Sequence, residues 1–181
     1  ISYRLVGSEM CIRDRTIIFN GVSKAYSMTG WRIGYAAGNK EIIKKMKTLQ
    51  SQSTSCASSV SQYAAISALT QKCEELPKMN AEYKERHDYV VKELNNIPGV
   101  TCKETDGTFY VFPSFTKYIE ESQKINNDDE LAMYLLNEGK VAVVPGSAFG
   151  MSGHLRLSIA LDLKSLEIAM NRIKKTLNND E

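Results

Sequence analysis

Residues 23–35 read SKAYSMTGWRIGY. The stretch holds one amine, Lys24, among small residues, and an arginine, Arg32, beside the chain's single tryptophan, Trp31. Just before it, residues 16–20 (TIIFN) are mostly apolar and β-branched, which predicts a short buried strand. Residues 31–37 (WRIGYAA) predict a second strand, closed by Gly38 and Asn39. Residues 21–30 between them, rich in small residues, read as a loop. A lysine and an arginine are thereby placed at a turn after a buried strand, where α/β proteins often carry their chemistry.

Working outward, residues 40–50 predict a helix with Ile42, Ile43, Met46 and Leu49 on one face and Lys44, Lys45 and Lys47 as a solvated face. Residues 51–59 (SQSTSCASS) read as a polar loop. Residues 60–71 predict a helix of small residues, with Ala64, Ala65, Ala68 and Leu69 suited to close packing. Pro77 fits the first turn of a long helix. Its apolar stripe is Leu76, Met79, Tyr83, His87, Val90 and Leu94, spaced by three and four, and Pro98-Gly99 ends it. The texture then changes. Residues 100–103 and 108–113 predict strands around the turn Asp106-Gly107. Residues 128–138 predict a helix stopped by Gly139, and residues 141–144 a short buried strand. Residues 154–160 alternate, with Leu155, Leu157 and Ile159 on one face and His154, Arg156 and Ser158 on the other. A last helix starts near Asp162 and carries Leu166, Ala169, Ile173 and Leu177. Its late Lys174 and Lys175 suit the negative end of the helix dipole.

The expected fold class is therefore α/β in two parts. Residues 16–76 read as the end of one α/β domain, residues 77–97 as a bridging helix and residues 98–181 as a smaller α/β domain. The balance of 23 basic and 21 acidic residues leaves a formal charge of +2, which argues against a polyanion-binding protein. No apolar run approaches the roughly 20 residues of a membrane helix. The four cysteines, Cys11, Cys56, Cys73 and Cys102, match no zinc spacing and suit a reducing cytosol. No metal site, nucleic-acid partner or membrane partner is expected.

Lysine becomes a nucleophile when burial or nearby cations lower its proton affinity, and it then forms a Schiff base with an aldehyde. An arginine grips a phosphate with two parallel hydrogen bonds. Lysine plus a phosphate-gripping arginine is the minimum equipment for pyridoxal phosphate. On spacing alone, a solvated turn lysine and a structural arginine are the commoner explanation. Arg156, mid-strand after the glycine-rich residues 146–153, has a guanidinium that could fork a carboxylate, or it could simply lie on a solvated strand face. His87 reads as a packed or interfacial histidine and His154 as a strand-end residue. Gly146, Gly150 and Gly153 fit neither a dinucleotide fingerprint nor a P-loop, and read as turn-shaping.

SKAYSMTGWRIGY closely resembles the cofactor-lysine motif of the class I aminotransferases, the fold-type I pyridoxal-phosphate-dependent family. QSQSTS, GTFYVFP, and VAVVPGSAFG followed by HLRLSIA extend the resemblance, in order, to the C-terminus. Within the family the likeness is to the bacterial aspartate aminotransferase type. The resemblance implies the end of the large cofactor-binding domain and the small C-terminal domain. It implies pyridoxal 5′-phosphate as cofactor, Lys24 as the Schiff-base lysine and catalytic base, Arg32 as the phosphate-binding arginine and Ser23 as a further phosphate contact. Arg156 matches the arginine for the substrate α-carboxylate. The family often has a hydroxyl residue three positions before the lysine, where this chain has Gly21.

The activity that the resemblance implies is amino transfer from aspartate or a similar amino acid to a 2-oxo acid such as 2-oxoglutarate, in a cytoplasmic homodimer. Two alternatives share the machinery or the fold: a carbon–sulfur lyase, and the aminotransferase-like domain of a transcriptional regulator. The resemblance also implies that the chain is the C-terminal half of a longer enzyme. The other half would supply a second phosphate loop, a ring stacked on the cofactor and an acid paired with the pyridine nitrogen. Residues 1–15 (ISYRLVGSEMCIRDR) follow no period and resemble a translated sequencing adapter, so they are expected to be a non-native lead. Sequencing the genomic locus should show a different upstream frame at codon 15; an authentic start codon followed by this peptide would overturn that expectation.

Overall fold

A computed structural model describes residues 15–178. The suspected lead therefore lies outside the described residues, except for Arg15. The chain divides into two compact units, Ile1–Leu76 and Pro77–Glu181.

In the first unit, strands β1 (Ile18–Gly21) and β2 (Gly34–Ala37) pair antiparallel, from Ile18 opposite Ala37 to Gly21 opposite Gly34. Both are shorter than the sequence suggests. Thr29–Trp31 forms a single 3-10 turn and Arg32 takes a left-handed conformation, φ 50 and ψ 50, so the extended run starts only at Gly34. A left-handed residue cannot continue a strand. Helix α1 (Lys40–Ser53) is started by Asn39, whose side chain accepts from the Glu41 N–H at 2.9 Å. It runs past the expected boundary at residue 50. There the Ser51 and Ser53 hydroxyls donate to the Thr48 and Leu49 carbonyls, at 2.7 and 3.1 Å, and fold back onto the helix. Lys44, Lys45 and Lys47 are exposed as expected. In helix α2 (Ser59–Thr70) the buried side is Ser61 and Ala65. Leu69 is exposed rather than packed, as are Tyr63 and Ile66, because apolar residues encircle this helix instead of forming one stripe.

In the second unit, helix α3 (Glu75–Asn95) buries His87, Val90, Val91 and Leu94, one side of the expected stripe. Strands β3 (Tyr110–Val111), β4 (Val144–Pro145) and β5 (Leu155–Ser158) form an antiparallel sheet in the order β3-β5-β4. Around it lie helices α4 (Thr116–Glu121), α5 (Asp128–Asn137) and α6 (Leu163–Asn178). The core joins Leu94 with Phe115, Leu131, Leu135, Leu155, Ile159, Met170 and Ile173. Helix α4 is not apparent from the sequence; it is short and has no fully buried residue.

The expected hairpin around Asp106-Gly107 does not form. Thr101 makes one isolated bridge to Ser114, and β3 pairs with β5 instead. Asn95, at the end of α3, holds the segment from its other edge. Its carboxamide donates to the Cys102 carbonyl at 2.9 Å and accepts from the Cys102 N–H at 2.8 Å, holding the edge of this segment that faces away from Ser114. The start of α5 is reciprocal: the Asn127 side chain accepts from the Glu130 N–H and the Glu130 carboxylate accepts from the Asn126 N–H, both at 2.8 Å. Asp162 begins α6 by accepting from the Ser165 N–H at 3.0 Å and its hydroxyl at 2.6 Å.

The two units predict unequal tolerance to truncation. Leu94→Ala, at a side chain with no exposure, should cost about 2–5 kcal/mol in urea unfolding. Leu49→Ala, at a side chain 72% exposed, should change stability by no more than about 0.5 kcal/mol.

Candidate functional site

Ser23, Lys24 and Arg32 share the loop that connects β1 to β2. The loop is pinned at its mouth by the Gly21–Gly34 pair, where the backbones approach closely: a Cβ on Gly34 would lie 3.2 Å from the Asn20 carbonyl. The Asn20 side chain also accepts from the Gly21 N–H at 2.7 Å. Val22, fully buried, anchors the first turn, and its carbonyl accepts from the Tyr26 N–H at 3.2 Å. The Lys24 carbonyl accepts from the Ser27 N–H, also at 3.2 Å. Lys24 and Arg32 are exposed and Ser23 is half-buried. One nitrogen of the Arg32 guanidinium donates to the Thr29 carbonyl at 3.1 Å, which ties the side chain back to the loop. Both Ser27 and Arg32 have positive φ, 53° and 50°, without being glycine. Such conformations are costly and tend to persist where a loop has a task. The loop thus presents a primary amine, a hydroxyl and a planar cation together. That donor set suits an aldehyde that also carries a phosphate.

Arg156 lies in the second unit, on the middle strand. Leu155 and Leu157 are buried on one face of β5, so period-two geometry turns Arg156 to the other. Its guanidinium carbon lies 4.5 Å from the Tyr110 ring centroid and 4.4 Å from that of Phe149. Tyr110 reaches it from β3. Phe149 reaches it from the 3-10 turn Gly146–Phe149. Aromatic rings attract a guanidinium by their quadrupoles and orient its plane, leaving its N–H edge for an anion.

The loop after that turn is held from outside. Asp128, the first residue of α5, is 2% exposed. Its carboxylate accepts from the Ser147 N–H at 2.7 Å and from the Gly153 N–H at 3.1 Å. Burial alone would push this carboxyl up, but the hydrogen bonds from Ser147 and Gly153 outweigh it and hold it below the ordinary value. Gly146 has no room for a side chain, since a Cβ would come within 2.3 Å of the Met151 carbonyl oxygen. Gly150 and Gly153 have φ of 77° and 72°, so these glycines shape a turn as the sequence suggests.

The two histidines are structural. His87 is buried, and its Nε2 accepts from the Thr105 N–H at 3.2 Å. His154 stacks on Phe112 with centroids 5.2 Å apart. Sequence reasoning misses Tyr110, Phe149 and Asp128. The first two carry no signal beyond their apolar character. Asp128 is legible as a helix-initiating acid, but nothing local says which distant N–H groups it serves.

The chain belongs to the family of class I and II aminotransferases, whose model matches residues 7–173. The match begins at residue 7, inside the segment expected to be a non-native lead. An aspartate aminotransferase of Rhizobium meliloti (strain 1021) is 45% identical over 169 residues, covering 91% of this chain and 41% of that protein. One from Bacillus subtilis (strain 168) is 46% identical over 164 residues, with 91% and 42% covered. The crystal structure of the aspartate aminotransferase from Rhizobium meliloti matches with a TM-score of 0.87 and 43% identity, over 92% of this chain and 42% of that one. The aromatic aminotransferase from Pyrococcus horikoshii OT3 matches with a TM-score of 0.84 and 35% identity, over 93% of this chain and 44% of that one. The chain thus spans well under half the length of these relatives. The fold is that of the fold-type I aminotransferases, and class I aminotransferases use pyridoxal 5′-phosphate.

The Asp128 carboxylate makes stability depend on pH with a definite sign. Its proton affinity is lower in the native state than in the unfolded one, so its contribution is complete above the ordinary carboxylate pKa of about 3.9. That contribution should be lost as pH falls from there through the lower native value. Urea unfolding of the chain between about pH 5 and pH 2.5 should therefore show a steeper acid loss than that of Asp128→Asn; equal slopes would count against it.

Proposed function

We propose that this chain is the C-terminal part of a longer pyridoxal-phosphate-dependent aminotransferase. The reaction moves an amino group from aspartate or a similar amino acid to a 2-oxo acid such as 2-oxoglutarate. The observation that carries the reading is the pinned β1–β2 loop, which bears Ser23, Lys24 and Arg32 in a chain of this family. Its relatives named as aspartate aminotransferases support the substrate class.

In this reading Lys24 would hold the cofactor by its aldehyde carbon. Arg32 would fork its phosphate, and the Ser23 hydroxyl would add a hydrogen bond to it. When bound, the cofactor supplies an electron sink for the charge left on the substrate's α-carbon. Lys24 Nζ would take the substrate's α-proton and return it, serving as base and then acid. Arg156 holds the α-carboxylate, with Tyr110 and Phe149 orienting its fork. Gly21 contributes no hydroxyl, so the phosphate relies on Arg32 and Ser23 from this loop.

The longer parent is supported by the surface of the first unit. Phe19, Leu49 and Tyr63 are 69, 72 and 75% exposed, more apolar surface than a finished domain usually leaves in water. In the parent, residues 16–76 complete the large domain, residues 77–97 bridge, and residues 98–181 form the small domain. A homodimer fits the same exposed surface. A cytoplasmic location fits the free thiols of Cys56, Cys73 and Cys102. No helix among the described residues is long and apolar enough to cross a membrane.

The full-length parent should exchange amino groups between aspartate and 2-oxoglutarate, and this chain alone should show negligible turnover. In the parent, Lys24→Ala should abolish both turnover and the borohydride-trapped covalent link to the cofactor, read by mass spectrometry of the peptide. A persisting link would sink the assignment of Lys24. Release of pyruvate and ammonia from cysteine conjugates without a keto acid would point instead to the lyase.

A further inference from the structure

Arg156 has two aromatic neighbours, and they are held in different ways. Tyr110 belongs to the sheet, one residue along from the Val111–Leu157 pair, and the β3–β5 ladder fixes it. Phe149 belongs to no ladder. It is 49% exposed, so burial does not fix it. Its ring meets Phe112 edge to face, with centroids 6.2 Å apart, and its place otherwise depends on the course of the backbone from Gly146 to Gly153.

That backbone is closed on itself by three hydrogen bonds. Gly146 N–H donates to the His154 carbonyl at 2.7 Å, Gly150 N–H to Ser147 at 2.9 Å and Met151 N–H to Gly146 at 3.0 Å. Closure gives the loop a shape but does not seat it. It is seated by Asp128, whose two carboxylate oxygens take one N–H from each end of the loop, at Ser147 and at Gly153, and at the far end also by the Phe115 N–H, which donates to the Gly153 carbonyl at 2.7 Å; of these only Asp128 reaches the Ser147 end next to Phe149. The neighbouring Asp129 carboxylate accepts more weakly from the Ser147 hydroxyl, at 3.4 Å. A buried carboxylate with well-made bonds to both ends of one loop is costly to replace, because an amide can accept with only one of its two ends.

We propose that Asp128 is a positioning residue for Arg156: it seats the loop that carries Phe149 and so sets the direction of the guanidinium. The ligand of Arg156 rests on the aminotransferase reading; the mechanical link between Asp128 and Arg156 does not. The consequence for that reaction is specific. Amino acid and 2-oxo acid both carry the α-carboxylate that Arg156 addresses, so disturbing Asp128 weakens both alike and spares the cofactor loop of the first unit.

The test begins with this chain, uniformly labelled with nitrogen-15. The Arg156 Nε–Hε resonance, identified by its disappearance in Arg156→Lys, should be displaced by the ring currents of Tyr110 and Phe149. Phe149→Leu should move it towards the position of a free arginine, and Phe149→Tyr should leave it in place. Asp128→Asn should move it in the same direction as Phe149→Leu, and should add little further change in a Phe149→Leu background. Asp128→Ser, which keeps a helix-starting oxygen but can serve only one loop N–H well, provides a second variant. If either folded variant leaves the Arg156 resonance unmoved, the proposal is overturned. Loss of the fold in both would make Asp128 a residue of general stability and overturn it equally. In the full-length parent, Asp128→Asn should raise KM for amino acid and 2-oxo acid by on the order of tenfold, with a smaller change in kcat and unchanged cofactor affinity. A uniform loss of kcat without a KM change would also count against it. Should Arg156→Lys leave both KM values unchanged, the carboxylate role of Arg156 fails while the coupling seen in the spectra stands.

Discussion

The second unit depends on the alternation of one strand. β5 is the middle strand of its sheet, and Leu155, Leu157 and Ile159 sit in the core with almost no exposure. Burying them leaves Arg156 no choice of face. A slip of one residue would bury the guanidinium and expose three aliphatic side chains, so the hydrophobic effect that builds the core also aims the cation. The two flanking strands then contribute only a pair of residues each, and their brevity matters little because β5 pairs with both.

The first unit uses a different constraint. Its loop is held by the pairing of β1 with β2 rather than by a core, since Val22, Ser61 and Ala65 are the buried side chains among its described residues. Close backbone approach at Gly21 and Gly34 narrows the mouth of the loop, and left-handed turns at Ser27 and Arg32 fold the rest. The loop carries amine, hydroxyl and guanidinium between residues 23 and 32, with Lys24 and Arg32 exposed. The unit also leaves much apolar surface uncovered, as suits part of a larger subunit.

Legibility in the sequence tracks the range of the interaction. The stripe of α3, the alternation of 154–160 and the caps of α1 and α6 are set by neighbours within four residues, and the structure has them where the periodicities put them. The hairpin at Asp106-Gly107 reads equally well locally, yet its pairing stops at the single Thr101–Ser114 bridge, and β3 spends its hydrogen bonds on β5, more than forty residues away. Residues 31–33 read as strand from composition, but Arg32 breaks the run with a left-handed backbone that its side-chain type does not announce. Lys24, Arg32 and Arg156 stand out because cations in small-residue or apolar settings are chemically conspicuous. Phe149 and Tyr110 do not, because an aromatic ring beside a guanidinium looks in sequence like any other apolar residue.

The amino-acid sequence by itself determined the family, the long helices and the identity of the cations, since these rest on local periodicity and on motifs that are contiguous. Only the tertiary structure decided what surrounds Arg156 and what seats its loop. Asp128 meets Ser147 and Gly153 across 19 and 25 residues of chain. Such a contact exists only once α5 and β5 have packed around a common core, and no local pattern encodes the partner of a buried carboxylate.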